Sequence, residues 1–194
     1  MFFAKDSNKL IEDFMLLANR AVCEFAGKKK TKSVPFVYRV HDVPDPAKLE
    51  EFAELAAMFG YKLNLSTPRH TAHSINKLMQ QVKGKPEAYM LETLAIRTMA
   101  KAVYSSKNIG HYGLAFEYYT HFTSPIRRYP DLMVHRILER VLNNEKVNEP
   151  NLEARCLHAS DMERKAAEAE RTSIKLKQVE FMQQSIGKVF DGVI

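Results

Sequence analysis

The chain has 194 residues, 45% of them hydrophobic and 27% charged, which is enough to bury the core of one ordinary domain and too apolar for a disordered class. A formal charge of +6 and a pI near 9.2 favour an anionic partner, nucleic acid before membrane. No run approaches the roughly 18 consecutive apolar residues of a membrane span, and no basic flank leads into an apolar stretch at the N-terminus, so a cytoplasmic protein without membrane association is expected.

In chain order, Ser7 can cap a first helix whose apolar residues Ile11, Phe14, Met15, Ala18, Val22 and Phe25 recur at three- and four-residue steps until Gly27, a stripe expected to face a core. The run Lys28-Lys29-Lys30-Thr31-Lys32 then reads as a solvated loop at that helix's C-terminus. Residues 34–41 (VPFVYRVH) read as a strand or extended segment. Asp45-Pro46 starts a second helix carrying Leu49, Phe52, Leu55, Ala56 and Phe59 before Gly60. A third helix is expected from about Thr71 to Val82 on the stripe Ile75, Leu78, Met79 and Val82, and a fourth from about Glu87 to Tyr104 on Leu91, Leu94, Ala95 and Met99. Short connections and the absence of any internal repeat argue for one domain.

An aromatic run (Tyr112, Phe116, Tyr118, Tyr119, Phe122) has the composition of a strand and stops at Thr123-Ser124-Pro125, where Ser suits an N-cap and Pro a first helical position. Arg127 and Arg128 follow at once. Unpaired backbone N–H groups, the positive end of a helix dipole and two guanidinium forks together form a region that can hold a phosphodiester. Pro130 clashes with a continuous helix, so 125–129 is expected to be a separate turn, with the helix proper opening at Pro130 and running through Leu132, Met133, Ile137, Leu138, Val141 and Leu142. The alternative is structural: Arg127 and Arg128 pair with carboxylates such as Asp131 and Glu139, and the aromatic rings fill a sheet. A last, strongly charged helix from about Pro150 to Ser185 reads as a solvated face with i,i+4 pairs.

The run HYGLAFEYYTHFTSPIRRYPDLMVHR (111–136) resembles, without gaps, the signature near the end of the catalytic domain of the ribonuclease II / ribonuclease R family of bacterial 3′→5′ exoribonucleases, and its YP-containing basic form is nearer the ribonuclease R branch. NKLIEDFMLLANRAV (8–22) resembles the family helix with an EE-x-M-x-x-AN pattern, SDMERKAAEAERTSIKLKQVEFM (160–182) the helix with an AER tripeptide, and GKVFDGVI (187–194) the first strand of the OB-fold that follows the catalytic domain. The resemblance implies an α+β fold, mainly helical with a few strands. Residues 1–186 would be the C-terminal portion of an RNB-type catalytic domain and 187–194 the start of an OB-fold RNA-binding domain.

By the same resemblance, Arg127 aligns with the catalytic arginine that grips the scissile phosphate, with Arg128 and Ser124 beside it on the RNA. Glu170 aligns with the active-site glutamate near the terminal nucleotides, and Glu12 with a glutamate that faces the ribose, where a 2′-hydroxyl can donate to a carboxylate. The implied function is processive 3′→5′ hydrolysis of single-stranded RNA to 5′-nucleoside monophosphates with Mg²⁺, with no obligate protein partner.

One part of the family pattern is missing. The family holds magnesium with four aspartates in a D-x5-D-x-D-D cluster, whereas the aspartates here stand at 6, 13, 42, 45, 131, 161 and 191, no two adjacent or separated by one residue. Two-metal chemistry needs several carboxylates converging on ions about 4 Å apart. The chain is therefore expected to be a piece of a larger enzyme, inactive by itself, with no metal ligands of its own; the apolar ending Gly192-Val193-Ile194, resembling an interrupted strand, agrees with that. A noncatalytic RNA-binding or scaffold module is the alternative.

Other features are given plainer roles. Cys23 and Cys156 read as reduced thiols. His70 and His73 lack a third ligand at zinc-site spacing. Tyr112 is expected to be a core ring rather than a base-stacking one, and His121 and His135, which flank the arginine pair, receive no role.

Overall fold

A computed structural model describes residues 6–27 and 34–190. The lysine-rich run at 28–32 and the end of the expected OB-fold strand at 191–194 lie outside the described residues. Among the described residues six helices and two short strands follow one another: α1 (Asp6–Gly27), β1 (Tyr38–Val40), α2 (Pro46–Met58), α3 (Pro68–Val82), α4 (Ala88–Thr98), β2 (Val103–Ser105), α5 (Tyr129–Leu142) and α6 (Leu152–Gln183), with a 3-10 turn at Tyr112–Leu114. The expected α+β class, mainly helical with a few strands, is what the chain adopts.

The two strands pair antiparallel, Tyr38 opposite Ser105, Arg39 opposite Tyr104 and Val40 opposite Val103. Buried apolar side chains form two clusters. The first joins Cys23 and Ala26 of α1, Phe36 and Val37, Tyr38 and Val40 of β1, Tyr104 of β2, Met133, Val134, Ile137 and Val141 of α5, and Leu152 and Cys156 of α6. The second is built from α2, α3 and α4 through Leu49, Phe52, Ala56, Ile75, Leu78, Val82, Leu91 and Ala95. Each fully buried aliphatic chain contributes about 1.5–3 kcal/mol; the three-helix layer therefore has a core of its own beside the sheet.

Several starts and stops follow the local chemistry read from sequence. The Asp45 carboxylate accepts from the Ala47 N–H ahead of Pro46, as a helix cap does. For α3 the start comes three residues earlier than expected, because Thr67 caps it at the His70 N–H and Pro68 follows.

Other expectations are corrected. Ser7 lies inside α1 rather than at its cap. The apolar stripe of α1 is buried only in its second half: Leu10, Ile11, Phe14 and Leu17 are each 55–59% exposed, while Asn19, Cys23 and Ala26 are buried. Periodicity fixes which residues share a face, not whether a neighbour covers it. The fourth helix stops at Thr98 instead of Tyr104. Its backbone turns extended at Met99, and the β-branched Val103 leads into β2, where pairing with β1 overrides the helical spacing.

The aromatic run is not a strand. Gly110 takes φ +81° and Ala115 φ +54°, left-handed values that interrupt a ladder. What remains is a pair of isolated bridges, His41 with His111 and His111 with Phe116. The segment still runs beside β1, the Arg39 N–H donating to the Tyr119 carbonyl at 2.9 Å and the Thr120 hydroxyl to the Val37 carbonyl at 2.7 Å. Gly113 fits where it does because a Cβ there would stand 3.2 Å from His41 Nδ1.

The charged last helix is a solvated one, as read: of its described residues only Leu152 and Cys156 are buried, and Asp161–Arg164 and Lys177–Glu180 pair along its surface. It is anchored at its start, where the Glu153 carboxylate accepts from the Ser106 N–H and hydroxyl, both at 2.6 Å, and Ser160 Oγ accepts from the Tyr104 N–H at 2.9 Å. Both cysteines are free, as expected; both are also buried, and burial pushes their thiols up to about 12. No described helix is long and apolar enough to cross a membrane.

Candidate functional site at the arginine turn

Residues 122–128 lead into α5 through a short turn, and much of their backbone is committed to the protein. Asn19, a buried residue of α1, accepts at Oδ1 from the N–H groups of both Phe122 (2.9 Å) and Thr123 (3.2 Å). Asp131 Oδ1 accepts from the Ser124 N–H at 2.8 Å. The Ser124 carbonyl in turn accepts from the N–H groups of Arg127 (3.3 Å) and Arg128 (3.1 Å).

A separate turn precedes the helix, as expected, but it covers 125–127, and the helix proper opens at Tyr129, one residue before Pro130. Ser124, however, is not the cap: Arg128 precedes α5 and makes no side-chain capping bond. Of the backbone donors around the helix start, the N–H groups of Phe122, Thr123, Ser124, Arg127 and Arg128 are taken up internally, whereas those of Ile126, Tyr129 and Asp131 meet no acceptor among the described residues, as expected of a helix start. An anion here can be met by side chains and by those remaining N–H groups.

The two arginines divide. Arg128 follows the structural alternative: its Nη2 meets Asp131 Oδ1 at 2.8 Å, with Asp131 fully buried and the arginine side chain 20% exposed. Arg127 is exposed and forms no side-chain hydrogen bond or ion pair among the described residues. Thr123 Oγ1, Arg128 Nε and Asp131 Oδ2 are buried without a protein partner, so the polar interior of the turn has unused capacity of the kind ordered water fills.

Behind the turn stands a third guanidinium. Arg39 of β1 forks onto Glu163 of α6 (Nη1–Oε2 2.6 Å, Nη2–Oε1 3.2 Å) and lies 4.5 Å over the Tyr104 ring. The Tyr104 hydroxyl meets His121 Nδ1 at 2.9 Å. Burial, then the charges of Arg128 and Arg39 with smaller contributions from His111 and Arg127, pushes His121 down to about 3, so the ring is neutral at ordinary pH. His111, stacked on His41 at 5.1 Å and edge-on to Tyr119 at 5.3 Å, is pushed down to about 4 by burial, His41 and Arg39. Three guanidinium groups therefore act on one neutral, aromatic-walled spot, and two of them are held by carboxylates.

Glu12 and Glu170 stand apart from the turn. Both are exposed, and neither forms a hydrogen bond or ion pair among the described residues. Each lies two helical turns, about 10.5 Å, from a residue that does touch the site: Glu12 precedes Asn19 on α1, and Glu170 follows Glu163 on α6. The seven-residue spacing puts each on the same helical face as its neighbour.

Ser124 is half-buried and contributes through its backbone. His135 stacks on Phe122 at 4.0 Å and its Nε2 lies 2.8 Å from the Phe122 carbonyl, which stiffens the entry to the turn. Tyr112 is half-buried, donates to the Pro68 carbonyl at 3.2 Å, and lines an open cleft of about 690 Å³ with His41, Arg69, His111 and Phe116. His70 meets the Ser66 hydroxyl at 2.9 Å. No three of His, Cys, Asp and Glu are grouped to hold a metal ion among the described residues.

Sequence reading missed Asn19, Arg39, Tyr104 and Glu163, and saw Asp131 only as an ion-pair partner. A signal existed for Asn19, a polar residue between Met15 and Cys23 on an otherwise apolar stripe. Arg39 and Glu163 are 124 residues apart and carried none.

The RNB domain family model matches residues 4–144. A ribonuclease R of Lactococcus lactis, Ribonuclease R 1, is 38% identical over 97% of this chain and 23% of its own length. The structure of Mycoplasma genitalium RNase R in complex with ribose-methylated single-stranded RNA superposes with a TM-score of 0.82 at 30% identity, covering 97% of this chain and 30% of that one. Yeast Ssd1, described as a pseudonuclease, superposes with a TM-score of 0.65 at 26% identity over 79% of this chain and 20% of that one. The chain spans about a quarter of the length of the curated relatives it matches, as the 23% and 27% covered in two of them illustrate.

Proposed function

Because the chain belongs to the RNB domain family, we propose that it is the phosphate-gripping part of a processive 3′→5′ exoribonuclease that hydrolyses single-stranded RNA to 5′-nucleoside monophosphates. The observation that carries this reading is Arg127: an exposed guanidinium with no side-chain partner among the described residues, on a turn whose backbone is fixed from both sides and whose neighbouring arginine is already paired. Arg127 meets the scissile phosphate and the charge that develops on it during hydrolysis. Arg128 and Asp131 hold the turn, with Ser124 as its backbone pivot. Glu170 and Glu12 position the terminal nucleotides, accepting ribose hydroxyls.

In this reading residues 1–186 belong to the catalytic domain and 187–194 begin an RNA-binding OB-fold, in a cytoplasmic enzyme. The Mg²⁺ of the family does not fit the described residues, which offer no grouped ligand set; no step here runs through it, and the chain by itself is inactive.

A second reading, a noncatalytic RNA-binding module, draws on that same missing ligand set and on the likeness to a protein described as a pseudonuclease. Digestion of a single-stranded RNA oligomer with Mg²⁺ separates the two. The chain alone is compared with a version extended at its N-terminus by the four-aspartate segment of a ribonuclease R. Nucleotide release from the extended protein only supports the exoribonuclease; RNA binding by both with release by neither favours the module.

A further inference from the structure

Asn19 and Tyr119, one hundred residues apart, are joined by a hydrogen bond from Asn19 Nδ2 to the Tyr119 hydroxyl at 3.1 Å, and both are buried. An amide side chain has two ends of opposite character, two N–H donors and one carbonyl acceptor with two lone pairs. With the Nδ2 end held by Tyr119, the Oδ1 end points at the backbone and takes the N–H groups of Phe122 and Thr123 together. Two consecutive N–H groups meeting one acceptor fix the backbone where the chain enters the arginine turn. The next N–H, that of Ser124, is taken by Asp131, and its carbonyl receives the N–H groups of Arg127 and Arg128. Asn19 is thus linked to Arg127 by its hydrogen bond from the Thr123 N–H, the peptide bond from Thr123 to Ser124, and the hydrogen bond from the Arg127 N–H to the Ser124 carbonyl.

Tyr119 is itself oriented by rings on several sides, edge-on to His111 and His121 at 5.3 and 5.8 Å and tilted against Phe116 at 5.7 Å. Its hydroxyl is therefore a fixed reference for the amide.

We propose that Asn19, with its amide oriented by the Tyr119 hydroxyl, is a positioning residue for Arg127. It holds the turn so that this unpaired guanidinium stands where an RNA phosphate arrives. Asn19 does not touch RNA; it lies inside the protein and acts through the backbone. The inference rests on the reading of Arg127 as the phosphate grip.

The test uses the 194-residue chain and a fluorescently labelled single-stranded oligoadenylate, with affinity measured across a range of KCl concentrations and the unfolding midpoint recorded for each variant. The variants are Arg127→Ala, Asn19→Ala, Tyr119→Phe, and each of the last two combined with Arg127→Ala. Arg127→Ala is expected to weaken binding about tenfold, as loss of a charge-assisted contact does, and to reduce the slope of log affinity against log salt by about 0.7, one phosphate's share on a single strand. Asn19→Ala is expected to reproduce both changes, Tyr119→Phe to show them in smaller measure, and neither to weaken binding further once Arg127 is gone.

A merely structural Asn19 lowers the midpoint without this non-additivity, and full additivity of Asn19→Ala with Arg127→Ala overturns the proposal. If Asn19→Ala does not fold, Tyr119→Phe decides by the same criterion. An Arg127→Ala variant that keeps the parent affinity and slope overturns the phosphate-grip reading and this inference together. A normal Asn19→Ala beside a weakened Arg127→Ala overturns this inference alone.

Discussion

Arg39 and Glu163 tie β1 to α6 through a two-bond fork, Nη1–Oε2 at 2.6 Å and Nη2–Oε1 at 3.2 Å, with the guanidinium also lying over Tyr104. The arginine side chain is 12% exposed and the glutamate 44%, so the two halves of the pair are unequal. Glu163→Ala removes a partly solvated carboxylate and is expected to cost about 1 kcal/mol. Arg39→Ala also loses the stacked contact and is expected to cost about 2 kcal/mol. Urea unfolding of the two variants checks the order; equal losses would mean that the Tyr104 contact contributes nothing.

Asp131 is the buried member of the pair that holds Arg128, and its Oδ1 serves the Ser124 N–H as well. Removing one partner of such a pair strands the other. Asp131→Ala is expected to destabilise by about 3–5 kcal/mol, and Asp131→Asn by less, since an amide oxygen still accepts from Ser124. Arg127→Ala, which removes an exposed side chain with no hydrogen-bond or ion-pair partner among the described residues, is expected to stay within about 0.5 kcal/mol of the parent. Chemical denaturation measures all three, and an Arg127→Ala loss as large as that of Asp131→Ala would remove the division of labour between the two arginines.

His121 and His111 are neutral in the fold because burial, the nearby arginines and, for His111, the His41 ring push them down to about 3 and about 4 from an ordinary 6.5. For a histidine with a depressed value in the folded state, the unfolded chain binds its proton first as pH falls. Stability is therefore flat above about 6.5 and declines as pH drops from there toward 4 and 3. The window between pH 6.5 and 5 lies above the range where the carboxylates titrate. The unfolding midpoint should fall across that window, and His121→Phe should flatten the decline. A midpoint that rises on acidification from pH 6.5 to 5 would contradict the assignment.

The thiols of Cys23 and Cys156 are buried and pushed up to about 12. Reactivity belongs to the thiolate, so neither should react with a disulfide reagent at pH 8 in the folded protein, and both should react in denaturant. Fast labelling of either in the native state would mean that its surroundings open.

Much of the site's frame was legible because it rests on local chemistry. Pro130 marks the break between turn and helix, Asp45-Pro46 starts α2, and the spacing of Ile75, Leu78 and Val82 gives the buried side of α3. The errors have non-local causes. The aromatic residues at 112–122 have strand composition, but Gly110 and Ala115 turn the backbone left-handed there. The residues around Tyr104 continue a helical pattern until β1 pairs with them. Arg128 and Arg127 are adjacent and chemically identical, and only the buried position of Asp131 decides which of them is paired. Asn19 reaches the turn from a helix about a hundred residues away, and Glu163 reaches Arg39 across 124 residues, distances across which neither spacing nor periodicity speaks.

Stabilisation of the scissile phosphate is the role proposed for Arg127. Its most direct test is the rate at which nucleoside monophosphate is released from single-stranded RNA, at saturating RNA and Mg²⁺, by the chain extended with the four-aspartate segment, wild type against Arg127→Ala. Loss of a positioned charge-stabilising donor predicts a rate about 100- to 1,000-fold lower with an unchanged unfolding midpoint. A rate within about twofold of the parent, far below the effect of losing such a donor, would contradict it.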